Sequence, residues 1–333
     1  MFRIIAMLAA ALALLSTQDI RAAEPYGIGL EGFAYPYPVT MLTLALENEP
    51  LRMAYMDVSP TGTRNGRTVL LLHGRNFPSS YWEPTINALT GAGYRVVVPD
   101  QVGFGKSSKP MGALRFDMLA RNTAALLDHL QLDRVDIVAH SMGGMLAVRF
   151  ARSYPDRVGR IVLEAPIGLE DYRMFVPPVE TERIMADEDK LTPDAYRRQL
   201  VTNYSLTLPP EAITPFIDSR MRIKDSAEYP RWLRAFVNSY QMIWGEPVLN
   251  EIPLLKQPVL FVMGGNDHNA PGRAYAPMEV RAKMGENAKL ARELAARMAN
   301  AKIEVYEGIG HVVHLEATAR FNASMLAFLN APR

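Results

Sequence analysis

The sequence contains no cysteine. That excludes a disulfide framework, a thiolate metal site and a cysteine nucleophile, and is compatible with export to a bacterial periplasm or beyond. Charge of one sign is also missing: 36 basic against 35 acidic residues leave a net +1 over 333 positions. Such a balance provides neither a basic stripe for nucleic acid nor a surface for acidic ligands, so phosphate-rich partners are excluded. There is no internal repeat, no low-complexity tract and no apolar run long enough to span a bilayer. The run Ile4 to Leu15 follows a single basic residue, Arg3, and has the length of a secretory h-region. Ala22 and Ala23 offer small residues for cleavage after Ala23, although Arg21 is a poor match two positions earlier. A signal peptide over residues 1–23, and export to the periplasm or medium, are therefore expected.

What remains is ordinary globular composition, 49% hydrophobic and 21% charged, in a chain long enough for a large core. Two strands, Val39 to Leu46 and Leu51 to Val58, flank a turn at Glu47 to Pro50. Short apolar runs follow at 68–72, 94–98, 135–139, 160–164, 258–263 and 302–306, the kind buried in a parallel sheet. Amphipathic helical stretches separate them, Phe116 to Leu130 being the clearest. Alternation of this type predicts α/β architecture with helices on both faces of the sheet. It breaks down between Ile167 and Pro253, where short helical pieces rich in Tyr, Trp, Met and Pro take over. An insertion of that size at a strand end reads as a helical cap (167–253) above a core built from 24–166 and 254–333.

The stretch Arg134 to Arg149 passes from an apolar strand through Ala139-His-Ser-Met-Gly143 directly into a helix. This is a G-x-S-x-G nucleophile elbow with Ala in the first Gly position. Small residues are needed because strand and helix nearly collide there, and the strained turn exposes the serine hydroxyl at a helix N-terminus. A serine hydroxyl becomes a nucleophile when a base takes its proton and a third group orients that base. Asp267 follows the strand ending at Met263, and His311 follows the strand ending at Tyr306, which puts both at the elbow's sheet edge. Glu164 is a rival acid, and His314 a rival base in His311-Val-Val-His314. With no third ligand nearby, that pair does not make a metal site. An oxyanion needs two donors. The backbone N–H of Met142 is one, and the loop after Leu72 supplies the other, assigned to Arg75, whose side chain either enters the pocket or points to solvent.

These residues carry a resemblance. With His73-Gly74, Gly103-Phe-Gly-Lys-Ser107, Ala139-His-Ser-Met-Gly-Gly144, Gly264-Gly-Asn-Asp267 and Gly308-Ile-Gly-His311 in that order, the chain from about residue 40 to 330 resembles the α/β-hydrolase-fold serine hydrolases. The resemblance implies a mostly parallel eight-stranded sheet flanked by helices, a helical cap, and a Ser141–His311–Asp267 triad working without metal or cofactor. Haloalkane dehalogenases and epoxide hydrolases carry aspartate at the elbow, which Ser141 replaces here. C–C bond hydrolases of the meta-cleavage type share the Ser-Met-Gly-Gly elbow and the Gly-Phe-Gly-Lys-Ser loop, yet usually have an aromatic after the histidine, where this chain has Val312. Proline iminopeptidases and perhydrolases are further branches of similar build. The reading is an exported carboxylesterase-type enzyme acting on a small, apolar acyl substrate. C–C, amide or lactone hydrolysis and a non-catalytic ligand-binding role are the alternatives. Phe77, Phe175, Trp232 and Trp244 are the expected pocket residues, with Tyr204 and Phe236 as further cap aromatics.

Overall fold

The structure is a computed structural model that describes residues 24–45 and 50–332. The signal peptide read at 1–23 and the turn read at 47–50 lie outside these, apart from Pro50. Eight strands form one sheet in the order β1-β2-β4-β3-β5-β6-β7-β8. They are β1 (Val39–Ala45), β2 (Pro50–Val58), β3 (Thr68–Leu72), β4 (Arg95–Pro99), β5 (Val135–His140), β6 (Val158–Glu164), β7 (Val259–Gly264) and β8 (Ala301–Tyr306). β2 alone runs against its neighbours, pairing antiparallel with both β1 and β4, while the pairs from β4 through β8 are parallel.

Every residue of β3, β5, β6 and β7 is buried, as a sheet covered on both faces requires. Period-two alternation sends Leu70 and Leu72 of β3 into one core and Val69 and Leu71 into the other. The first core receives the apolar faces of α2 (Phe116–His129), α3 (Met142–Ser153) and α9 (Asn287–Ala295). The second receives α1 (Glu83–Gly91) and α11 (Thr318–Asn330).

Between β6 and β7 lie the helices α4 (Thr181–Asp189), α5 (Pro193–Asn203), α6 (Pro210–Met221) and α7 (Tyr229–Gly245). The sequence marks α5 and α7 but hides α4 and α6. α4 buries one side chain, Ile184, so it carries no apolar stripe, and α6 has Pro215 within it. Two further short helices, α8 (Met278–Arg281) and α10 (Val313–Glu316), follow the strands that deliver the acid and the histidine. The lead-in from residue 24 lies along the cap: Leu30 packs with Ile184, Tyr229 and Val237, and Tyr26 and Phe33 pack beside them. Among the described residues no helix is long and apolar enough to cross a membrane.

Candidate active site

Because β3, β5, β7 and β8 are parallel, the loops after them meet at one edge, and these loops carry Arg75, Ser141, Asp267 and His311. Ser141 occupies φ 56° and ψ −119°, a left-handed conformation that a serine adopts only under constraint. The constraint is packing: a Cβ on Gly143 would collide with the Leu72 carbonyl oxygen, so α3 starts directly against β3. Ala139, in the first Gly position of the elbow, is fully buried in β5.

His311 Nε2 lies 2.9 Å from Ser141 Oγ, and His311 Nδ1 lies 3.0 Å from Asp267 Oδ2. The other carboxylate oxygen of Asp267 accepts from the backbone N–H of Asn269 at 2.9 Å. Asp267 and His311 are buried to 1% and 0% exposure, so their pairing is shielded from water. The rival acid is occupied elsewhere: Glu164 accepts from the backbone and ring of His314 at 2.8 Å each, bracing the start of α10. Among the described residues no group of three or more metal-binding side chains exists. Met142 is the first residue of α3, so its N–H has no acceptor within the helix. On the opposite loop, Gly74 N–H donates to Tyr81 Oη at 2.9 Å, so it is taken; the amide after it is that of Arg75, the donor expected from the sequence.

Two buried histidines beside the site are held in single neutral forms. His73 donates from Nδ1 to the Gly74 carbonyl at 2.7 Å and accepts at Nε2 from Gln101 N–H at 2.9 Å. Burial pulls its pKa below the ordinary histidine value, and burial pulls His140 down further. Each is therefore harder to protonate in the folded than in the unfolded state. Their stabilising contribution is therefore complete above about pH 6.5 and is lost on acidification toward the lowered folded-state values, at no more than about 1.4 kcal/mol per pH unit for each histidine. Urea denaturation between about pH 7.5 and 5 should show this loss, and the variant His73→Gln should lose less over that range.

The serine opens onto a cavity of about 410 Å³. Its lining corrects the expected pocket. Phe175 and Trp244 do not reach it: both pack against the first core, and Trp244 Nε1 donates to the Val176 carbonyl at 2.9 Å. Phe77 and Trp232 line a smaller adjoining recess of about 40 Å³ instead. Phe77 is spent on packing, with ring centroids 4.6 Å from Phe216 and 5.9 Å from Tyr204. Trp232 stacks on Phe236 at 4.8 Å. The cavity around Ser141 is lined instead by Arg75, Asn76, Tyr196, Tyr204, Tyr240 and Asn269, among others. Ile167, Ile184, Leu200 and Ile243 line it too, so its walls combine apolar surface with these polar groups.

Sequence reasoning placed Tyr204 in the pocket, where it is found, but missed its hold on the histidine, and it missed Asn269 altogether. Tyr204 ends α5; its carbonyl accepts from His311 N–H at 2.8 Å, its ring lies 4.6 Å from the imidazole, and its hydroxyl accepts from Asn76 Nδ2. Asn269 brings Nδ2 to 3.3 Å from His311 Nε2. Its position two residues after the acid was the available signal, since side chains in that turn stay beside the carboxylate.

A hydroxyl at a strained elbow and a buried imidazole bridging it to a carboxylate define a serine hydrolase. The chain belongs to the α/β-hydrolase-fold family, whose model matches residues 67–279. Among curated relatives, a 2-hydroxy-6-oxononadienedioate/2-hydroxy-6-oxononatrienedioate hydrolase of Burkholderia vietnamiensis is 32% identical, over 84% of this chain and 91% of its own. A 2-hydroxy-6-oxo-6-phenylhexa-2,4-dienoate hydrolase of Burkholderia cepacia is 28% identical, over 79% of this chain and 88% of its own. Among solved structures, a probable hydrolytic enzyme of Pseudomonas aeruginosa PAO1 shares 38% identity at a TM-score of 0.89, covering 93% of this chain and 99% of that one. This protein is a hydrolase of the same fold.

Proposed function

We propose that this enzyme hydrolyses carboxylic esters through a seryl acyl-enzyme, and that its substrates carry a carboxylate a few bonds from the scissile carbonyl. Ser141 Oγ attacks the carbonyl carbon while His311 Nε2 takes the hydroxyl proton. The oxyanion rests between the Met142 and Arg75 amides, and His311 returns the proton to the leaving alkoxide. Water then attacks the acyl-serine, again giving its proton to His311, and the acid leaves. Asp267 holds the imidazole with its proton on Nδ1 and stabilises the imidazolium.

The observation that carries the substrate reading is the Arg75 side chain, which shares the cavity with Ser141. Its Nε donates to Ser239 Oγ at 2.8 Å, its Nη2 to the Phe236 carbonyl at 3.0 Å, and its guanidinium lies 3.7 Å from the Phe236 ring centroid. None of these partners is an anion. Glu188, the carboxylate that acts on Arg75, is already ion-paired with Arg220. Two guanidiniums, Arg220 buried and Arg75 half-buried, thus share one carboxylate, and desolvation pulls the Arg75 pKa below the ordinary arginine value. An incoming carboxylate would balance that charge and take the remaining Nη donors as a planar pair. Tyr204, whose oxygen accepts from Asn76, keeps its own proton for the same ligand.

The test compares the 4-nitrophenyl monoester of adipic acid with 4-nitrophenyl hexanoate. The wild type should prefer the acidic ester in kcat/KM by about 10- to 100-fold, the worth of a charge-assisted hydrogen bond, and Arg75→Gln should erase the preference. No preference in the wild type would remove the carboxylate from the proposal. A second reading, hydrolysis of a C–C bond beside a carbonyl, is favoured by the relatives, whose names describe substrates that are themselves carboxylates. It takes over if Ser141 reacts with a fluorophosphonate probe while neither ester turns over and a vinylogous diketo acid is cleaved.

A further inference from the structure

Tyr81 and His140 stand outside the chemistry described so far, yet both are buried against it, at 4% and 1% exposure. Their hydrogen bonds run in one direction. An amide can only donate, so Tyr81 Oη accepts from Gly74 N–H at 2.9 Å. The phenol's single proton is then directed to His140 Nδ1, 3.0 Å away. With Nδ1 accepting, neutral His140 carries its proton on Nε2, which points at the carbonyl oxygen of His311 at 2.9 Å. A carbonyl can only accept, so the chain ends there. Donor counting therefore assigns every proton between Gly74 and His311 without freedom.

The three segments joined in this way hold the three parts of the site. Gly74 precedes the Arg75 amide, His140 precedes Ser141, and the carbonyl that ends the chain belongs to His311 itself. The seating is close: a Cβ on Gly74 would stand 2.8 Å from His140 Nδ1 and 3.2 Å from Ser141 Cβ. The oxyanion loop can rest on this ring only as glycine.

We infer that Tyr81 and His140 are positioning residues, a directed relay from Gly74 through Tyr81 and His140 to His311 that sets the oxyanion loop, the elbow and the base against one another. The inference rests on Ser141 and His311 being nucleophile and base, and not on the substrate proposed for them. Catalysis is sensitive to such placement, because donors and base act only when aligned before the reaction begins.

The experiment measures kcat and KM on whichever substrate turns over, together with the rate at which a fluorophosphonate modifies Ser141. Tyr81→Phe breaks both of the tyrosine's bonds. His140→Gln keeps a donor for the His311 carbonyl but loses Tyr81, whereas His140→Asn keeps an acceptor for Tyr81 but loses His311. Each should lower kcat and the phosphonylation rate by about 10- to 100-fold with KM changed by less than about threefold. Because Tyr81→Phe and His140→Gln cut the same link, the double variant should be no more than about twofold slower than the slower single one. Losses that multiply, or rates near wild type with only a lower Tm, would overturn the relay.

Should the variants not fold, the wild type still decides. In ¹⁵N-histidine NMR, His140 should show one neutral form protonated at Nε2, and its resonances should move when Ser141 is phosphonylated. A proton on Nδ1, or resonances that stay put, overturns the relay too. Failure of folded wild type to react with the probe would remove the catalytic reading and the relay with it. A reactive wild type with unchanged variants would remove the relay alone.

Discussion

Replacing Ser141 with alanine should lower kcat by on the order of 10⁴ to 10⁶, the range over which removing the nucleophile disables a triad. The fold should be indifferent to the change. Alanine keeps the Cβ, so the cost of φ 56° at the elbow is the same as for serine. The hydroxyl's departure leaves His311 Nε2 within 3.3 Å of Asn269 Nδ2, a replacement donor. Residual turnover should remain above the uncatalysed rate, because the change leaves the proposed oxyanion donors, the amides of Met142 and Arg75, in place. Steady-state kinetics alongside thermal unfolding check both halves. A variant that retains a tenth of wild-type activity would show that Ser141 is not the nucleophile.

Asp267→Asn is expected to cost on the order of 10⁴ in kcat, for a reason that donor counting makes specific. Asp267 Oδ1 accepts from Asn269 N–H at 2.9 Å, so an asparagine there keeps its oxygen on that side. Its NH₂ group then faces His311 Nδ1, where the carboxylate oxygen stood at 3.0 Å. Two donors cannot meet, and the imidazole must move its proton to Nε2. In that form Nε2 points a proton at Ser141 Oγ and cannot accept one. Glu164→Gln provides the contrast: its carboxylate serves His314, so the change should lower thermal stability and leave kcat within a few-fold of wild type. A larger loss from Glu164→Gln than from Asp267→Asn would reverse the assignment of the acid.

The geometry around these residues shows why parts of the site were legible in the chain and parts were not. Ser141, Asp267 and His311 sit in turns that directly follow apolar strands, and the strand period with its glycine punctuation marks each turn locally. Parallel pairing then brings the turns together whatever the cap does. The pocket residues have no such local mark. Phe77, Phe175, Trp232 and Trp244 were chosen as large aromatics near the site, but an aromatic side chain goes where its area is best buried. For Phe77 that place is against Phe216 and Tyr204, and for Trp244 beneath the Val176 carbonyl. The side chains that do line the cavity, Tyr204 and Asn269 among them, are also engaged by hydrogen bonds to loops far away in sequence, which no periodicity reports.

The sequence by itself determined the fold class, the order of nucleophile, acid and base, and the elbow's demand for small residues, because each follows from backbone turns and strand patterns a few residues long. Tertiary structure alone decided what the rival carboxylate Glu164 does, which is to brace His314, and where the Arg75 side chain points. The guanidinium could equally have faced water. It enters the cavity because Ser239 and the Phe236 carbonyl, more than 160 positions later, hold it there. The character of the pocket above the serine thus depends on contacts between segments that only folding brings together.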